Sequence, residues 1–324
     1  MAKLNKILVV TNNFITADNG YGRACRDGLV YYRKLSVSID YLEIVNGLVY
    51  FNGKFYEKLR TFSILRPTLI KNRLKSVPKD YYDLVVFEDL PVAINFNRFN
   101  AGSYLLRLHN VMAAESWPFH LIFQYTYLRW FERKSVTRMN TACLSLQMQS
   151  QMKAIYDKSP KVIGLVPRFS PRKKILESLD NIRFSDCLAI GTWGFRKRKD
   201  LIEIIKKWPD NITLHIVGRN SLKFSAFSKN NIVVHGYMER IDELVNKSKY
   251  LLNPQTEGSG LNIKTLFAIE NGMVPLTTRF GAEGFNLVEN INYIDIDNVD
   301  FSKLGSIDVR EIIRNNEEWI RKYT

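Results

Sequence analysis

Short runs of apolar, β-branched residues alternate with stretches of helical spacing along almost the whole chain. Lys6 to Thr11 (KILVVT) ends in the turn residues Asn12 and Asn13, the profile of a first buried parallel strand. The glycine-rich turn Asp18-Asn19-Gly20-Tyr21-Gly22 leads into helical spacing from Arg23 to Arg33. Ser36 to Glu43 predicts a strand, and Val49 to Phe55 a hairpin turning at Asn52-Gly53. Asp83 to Phe87 and Ser103 to Leu108 predict two more buried strands, each ending next to polar residues, His109 among them. Strand ends are where open α/β sheets keep their ligands. Trp117 to Thr137 reads as a long helix whose aromatic residues belong to the core. Thr141 to Leu146, a helix to Tyr156, and Val162 to Val166 continue the alternation.

Pro167 to Lys174 (PRFSPRKK) interrupts the pattern with linker chemistry. That places a first domain at 1–170, a second at 171–305, and a last helix at 306–324. The second series opens with a strand at Asp186 to Ile190 followed by Gly191. Arg196, Lys197, Arg198 and Lys199 then stand immediately before a helix at Leu201 to Lys207. Strands follow at Thr213 to Val217, Ile232 to Val234, Tyr250 to Leu252 and Tyr293 to Ile296, with helices at Ile241 to Lys247 and Val309 to Tyr323. Continuous apolar strands alternating with helices predict an α/β protein built from two doubly wound parallel sheets.

The second series is organised around Asn253 to Phe285 (NPQTEGSGLNIKTLFAIENGMVPLTTRFGAEGF). Pro254 and Glu257-Gly258-Ser259-Gly260 end a strand; Leu261, Thr265, Ala268 and Ile269 recur at helical spacing; Gly272 closes the helix. A glycine-rich turn feeding a helix start leaves backbone N–H groups free, and the helix dipole favours phosphate there. The spacing is neither G-x-G-x-x-G nor that of a P-loop, so those nucleotide motifs are excluded. The residues alone leave two readings, an anion site beside the carboxylate Glu257 or an ordinary helix cap. Four cations at the Gly191 turn suit a diphosphate, because they oppose the dipole of the helix they precede.

The order G-S-G-L-N-I-K-T-L, E-N-G-M-V-P-L-T-T and G-A-E-G-F from Gly258 to Phe285 resembles the donor-binding segment of GT-B glycosyltransferases, most nearly the retaining family 4. The resemblance implies a GT-B fold, two Rossmann-like domains facing a cleft, acceptor side first and donor nucleotide second, with the last helix crossing back. It implies transfer of a sugar from a nucleotide sugar to a glycan or lipid-linked acceptor in bacterial surface polysaccharide assembly. Neither a metal nor a cofactor is implied, and retention of configuration is. By the same likeness Lys197, six residues after Gly191, holds the diphosphate with Arg196 or Arg198. Amides of Ser259 to Leu261 take its distal phosphate, with Gly258, Gly260 and Lys264 in the same motif. His109 and Glu257 contact the sugar, and Gly20 and Gly22 line the loop against donor phosphate and acceptor. The family's helix glutamate, used on the nucleotide ribose, falls on Phe267 here, with Glu270 one turn on as a substitute. That departure keeps a second reading open, a non-catalytic relative acting as a binding or scaffold subunit.

At 324 residues and 46% hydrophobic, the chain suits two ordinary domains and is not a disordered protein. No apolar run approaches the roughly 18 residues of a membrane helix. The start runs straight into a strand without a signal-peptide pattern, and Cys25, Cys143 and Cys187 lack C-x-x-C spacing, which predicts a reducing cytoplasm. Four scattered histidines show no metal cluster. The net charge of +15 calls for an anionic partner. Nucleic acid has no motif behind it. Lys54 to Lys79 sets Lys54, Lys58, Arg60, Arg66, Lys71, Arg73, Lys75 and Lys79 against Glu57 alone, interleaved with apolar residues. That segment reads either as a solvated face or as a contact with the anionic inner face of the cell membrane.

Overall fold

The computed structural model describes residues 3–12, 15, 20–46, 48–59, 73–111, 122–168, 186–258 and 261–323; at 122–125, 195, 196 and 323 the description is of backbone alone. Asp18, Asn19, residues 60–72 of the Lys54–Lys79 segment, Trp117, the linker beyond Arg168, Ser259 and Gly260 lie outside the described residues. The chain divides into two compact units, Met1–Leu165 with Gly258–Leu261, and Val166–Glu257 with Asn262–Thr324.

The first unit runs β1 (Leu4–Thr11), α1 (Gly20–Leu35), β2 (Ser36–Val45), β3 (Leu48–Phe51), β4 (Lys54–Lys58), β5 (Tyr81–Glu88) and β6 (Asn100–Leu108). It continues with α2 (Ile122–Arg138), β7 (Asn140–Cys143), α3 (Leu146–Tyr156) and β8 (Lys161–Val162). Its eight strands lie in the order β4-β3-β2-β1-β5-β6-β7-β8. The pairs from β2 through β8 are parallel, and β3 and β4 add an antiparallel hairpin at one edge. Asn52 (φ 50°) and Gly53 (φ 78°) make the hairpin turn, as the Asn-Gly pair predicts. Both sheet faces are covered: Leu8, Val10, Phe87 and Leu106 fill one core, and Ile7, Val9, Val86 and Tyr32 the other. Burial on both faces is why these strands read as continuous apolar runs.

The second unit runs β9 (Asp186–Ile190), α4 (Phe195–Lys206), β10 (Leu214–Val217), β11 (Ile232–Gly236), α5 (Asp242–Lys247) and β12 (Ser248–Asn253). After these come α6 (Ile263–Glu270), β13 (Val274–Thr277), α7 (Arg279–Glu283), β14 (Ile294–Asp295) and α8 (Arg310–Tyr323). The six strands, in the order β11-β10-β9-β12-β13-β14, are parallel throughout. In α8, Ile312, Ile320 and Asn316 are buried, and Asn316 donates to the Asn292 carbonyl within the same unit.

In each sheet the chain order reverses once, between β1 and β5 in the first and between β9 and β12 in the second. A reversal separates the crossovers to either side and leaves a crevice outside the carboxyl ends of the two strands.

Several expectations need correction. Helix α1 begins at Gly20, so Gly20 and Gly22 lie in its first turn and not in a loop before it. Helix α4 begins at Phe195 behind the N-cap Gly194, so Arg196 to Lys199 lie inside its opening turns, and its first turn holds no acidic residue. Within the Gly258–Phe285 motif, Gly281 to Glu283 is helical: Thr278 accepts from the Gly281 amide at 3.1 Å and caps a short helix. Capping chemistry three residues apart outweighs the turn preference of the glycines. The aromatic helix is not all core, because Trp130 on α2 is 54% exposed.

Candidate functional site

Beside the reversal of the first sheet, β5 sets Glu88 opposite Arg107 on β6, and His109 follows directly after β6. Glu88 and Arg107 are wholly buried and paired, Nη1 to Oε2 at 3.1 Å. Arg107 also donates to the Ile163 carbonyl, 2.8 Å from Nη2, and to the Ala24 carbonyl, 2.8 Å from Nη1. On the other side Glu88 receives the Tyr32 hydroxyl at 2.8 Å and lies 2.7 Å from His109 Nε2. Burial alone would raise the Glu88 carboxyl, but Arg107 and the bonds from His109 and Tyr32 outweigh it and hold the group below the usual carboxylate range. An ionised Glu88 only accepts, so His109 donates from Nε2 and Nδ1 is left for another partner.

The surroundings fix this network. The Tyr21 ring lies 4.6 Å from that of His109, and its hydroxyl donates to the Glu88 carbonyl. Asp89 takes φ 76°, a conformation rare outside glycine, and its carboxylate accepts from the His109 amide at 3.3 Å. Strain of this kind persists where surrounding contacts over-determine it, commonly at sites. Gly28 is needed for close approach, since a β-carbon there would lie 2.5 Å from Arg107 Nη1. Donor atoms of Cys25, Glu88 and His109 lie within 4.8 Å of one another, the spacing of a metal set. The chemistry does not suit one: Arg107 already neutralises Glu88, and burial pushes the Cys25 thiol well up, away from the thiolate a metal needs.

At the reversal of the second sheet, Gly191 follows β9, Asn253 ends β12, and α6 begins with Ile263 and Lys264. Lys264 Nζ lies 5.3 Å from the centre of the Trp193 ring. A β-carbon at Gly191 would sit 2.9 Å from Nζ, so a glycine there makes room for the lysine. Burial, helped by Lys197 on α4, pushes the Lys264 ammonium down to about 7. Lys264 has no carboxylate partner among the described residues. The Asn253 Oδ1 and Arg198 Nε atoms are also buried without a hydrogen-bond partner among them. Two lysines that repel one another, beside orphaned polar atoms at a strand-end crevice, make an electrostatic setting that an anion would relieve.

The remaining candidates lie along the chain from the loop after β12 to the end of α6. Glu257 is exposed on the loop after β12, and Gly258 takes φ 150°. Asp200 on α4 is raised by burial and then by Glu257, while Thr256 hydrogen-bonds to it, so α4 and this loop are tied together. Leu261 is half-buried. Glu270 stands at the far end of α6, where its carboxylate accepts the Arg168 amide at 2.6 Å. Phe267 packs half-buried against an apolar cluster with Ile190, Met238 and Ile241. The Glu88–Arg107 pair is absent from the sequence reading; its signal was a charged residue at the end of each of two otherwise apolar strands.

No protein-family model matches this sequence, and no curated protein sequence does. Solved structures do match in fold. The sucrose-phosphate synthase of Thermosynechococcus elongatus aligns over 98% of this chain and 94% of its own, with 11% identity and a TM-score of 0.69. Anabaena HepE, solved in complex with UDP and glucose, aligns over 98% and 95% with 14% identity and a TM-score of 0.62. The lipopolysaccharide outer core galactosyltransferase WaaB aligns over 97% and 91% with 12% identity and a TM-score of 0.53. These matches cover both units, and the fold they share with this chain is GT-B.

Proposed function

We propose that this protein is a glycosyltransferase that moves a sugar from a nucleotide sugar to a glycan or lipid-linked acceptor. The observation that carries the reading is the pair Lys264 and Lys197 at the strand-end crevice of the second sheet, with no carboxylate on Lys264 among the described residues. These lysines, with Arg196, Arg198 and the amides of the Gly258 to Leu261 turn, are assigned the diphosphate and neutralise it as it departs. Glu257 is assigned to the sugar. In the first unit, Nδ1 of His109 is assigned a sugar hydroxyl, the ring being oriented through Nε2 by Glu88. HepE, solved with UDP and glucose, and WaaB, named a galactosyltransferase, support a nucleotide-sugar substrate for this chain too. Membership of the retaining family 4, a place in surface polysaccharide assembly, and work at the inner face of an anionic membrane complete the proposal. They rest on the Gly258–Phe285 motif and on the net charge of +15.

A thermal-shift screen across UDP, GDP, ADP and CMP sugars tests the reading, because a ligand that binds only the native state raises the melting temperature. Stabilisation by one nucleotide class, followed by turnover with that donor, is the expected result. Stabilisation without turnover on any glycan or lipid-linked acceptor would favour a non-catalytic binding subunit, the reading that Phe267 in place of the helix glutamate keeps open. No stabilisation by any of the four would overturn the proposal.

A further inference from the structure

The outward face of α2 has an unusual make-up. From Thr126 to Arg138 the buried positions are Leu128, Glu132, Ser135 and Val136. Glu132 is the only acidic residue in that span; it is wholly buried and takes the Tyr156 hydroxyl at 2.5 Å. Arg129, Trp130, Arg133 and Arg138 are exposed, and Lys134 is half-buried. From Thr126 to Arg138 the exterior of the helix therefore carries cations and no acid of its own, and it presents an indole that is 54% exposed. Trp130 is flanked along the helix by Tyr127 one turn before, rings 5.9 Å apart, and by Lys134 one turn after, with Nζ 4.9 Å from its ring centre.

We propose that this face of α2 docks on the surface of an anionic phospholipid bilayer, with Trp130 entering the headgroup region and Arg129, Arg133, Lys134 and Arg138 meeting lipid phosphates. Charge complementarity identifies the occupant. Each cation near an anionic leaflet adds to the attraction, and tryptophan is the side chain that most favours the membrane–water boundary. No helix among the described residues is long and apolar enough to cross a membrane, so the contact is interfacial. A nucleic acid fits less well, because base stacking needs an open ring face and Trp130 has Tyr127 and Lys134 against it. The flank of the basic Lys54–Lys79 segment lies close by. Helix α2 packs on the short helix Leu90–Asn95, whose Asn95 accepts the Leu74 amide at 3.0 Å, between Arg73 and Lys75. The inference deepens the membrane placement proposed above, and its test does not depend on transferase activity.

The full chain is sedimented with phosphatidylcholine vesicles, with and without phosphatidylglycerol, at low and at physiological salt. Binding is expected only with the anionic lipid and weakens as salt screens it. The variant carrying Trp130→Ser, Arg133→Glu and Lys134→Glu is expected to lose about tenfold or more in partitioning. A control with Lys223→Glu and Lys303→Glu, exposed positions in the second unit, should bind as the unaltered chain does. As a check independent of the charge variants, quenchers on the lipid headgroup should dim the unaltered protein's tryptophan emission and spare a Trp130→Phe variant. The proposal is overturned if anionic and neutral vesicles bind alike, or if the control loses as much as the α2 variant. Quenching that survives Trp130→Phe overturns it as well. Binding of a single-stranded oligonucleotide through the same residues, with no vesicle binding, would assign the face to nucleic acid instead.

Discussion

Lys264 rests on Trp193, its ammonium 5.3 Å from the ring centre and in the space that a side chain at Gly191 would fill. The indole contributes a favourable ring face but no counter-charge. Strands β9 and β12 bring neutral groups to this edge, Gly191, Trp193 and Asn253, and α6 adds Thr265. Lys197 on α4 is the charged group acting on Lys264, and it repels. The lysine is thus built to be at ease only when something anionic arrives.

Donor affinity should therefore depend on pH in a defined direction. Burial and Lys197 bring Lys264 down to about 7, and a bound diphosphate favours the charged form and raises it again. Below about pH 7 the ammonium already exists in the free protein, so affinity is highest and flat. Above that, binding must draw a proton, and affinity falls by up to about tenfold per pH unit until the pKa of the complex is passed. Calorimetry of UDP binding between pH 7 and 9, in buffers of different ionisation enthalpy, should show the uptake, and Lys264→Met should abolish it. Stability follows the same shift. The unfolded chain holds this proton up to its ordinary pKa of about 10.4, so stability falls as pH drops from there to about 7 and levels off below.

Lys197→Ala should slow turnover more than it weakens donor binding, because charge grows on the leaving diphosphate in the transition state. The expected loss is on the order of 10²–10³ in kcat. Arg196, Arg198 and Lys199 share the opening turns of α4, so each needs its own alanine variant. Full activity in Lys197→Ala with loss in a neighbour would move the diphosphate contact to that neighbour.

Arg107→Met should be among the most damaging single changes in the first unit. It strands the Glu88 carboxylate, wholly buried, and removes the bonds to the Ile163 and Ala24 carbonyls. Breaking one side of such a pair costs about 3–5 kcal/mol, read as a fall in the urea midpoint. Adding Glu88→Leu should restore much of that loss, since no buried charge is then left alone. A double variant as unstable as the single would show that the carbonyl bonds, and not the ion pair, carry the cost.

Removing the His109 imidazole should discriminate between nucleotide and nucleotide sugar. His109→Ala is expected to weaken binding of the sugar donor by about 1–2 kcal/mol, the scale of one lost hydrogen bond, while leaving UDP binding unchanged. Equal weakening of both ligands would place the ring on the nucleotide or make it purely structural.

The sequence by itself placed the strands of both sheets to within about four residues at each end. β9 (Asp186–Ile190) and the Asn52-Gly53 hairpin fall where the pattern puts them, because apolar continuity and turn chemistry are local properties. It also located His109 at a strand end and Lys197 and Lys264 close to strand-to-helix turns, since a doubly wound alternation forces those turns to the carboxyl edge, although both lysines lie inside the helices that follow. Only the tertiary structure decided what each of them touches. Glu88 and Arg107 are 19 positions apart in the chain, and nothing local says that adjacent strands make them partners. Lys264 is depressed because folding buries it and brings Lys197, from another helix, against it. The aromatic run ending in α2 has the composition of core, yet Trp130 points outward: at 3.6 residues per turn, with Leu128, Glu132, Ser135 and Val136 taking the inner face, position 130 falls on the outer one. Pattern fixes which residues are apolar, and the partner that each helix meets fixes which of them are covered.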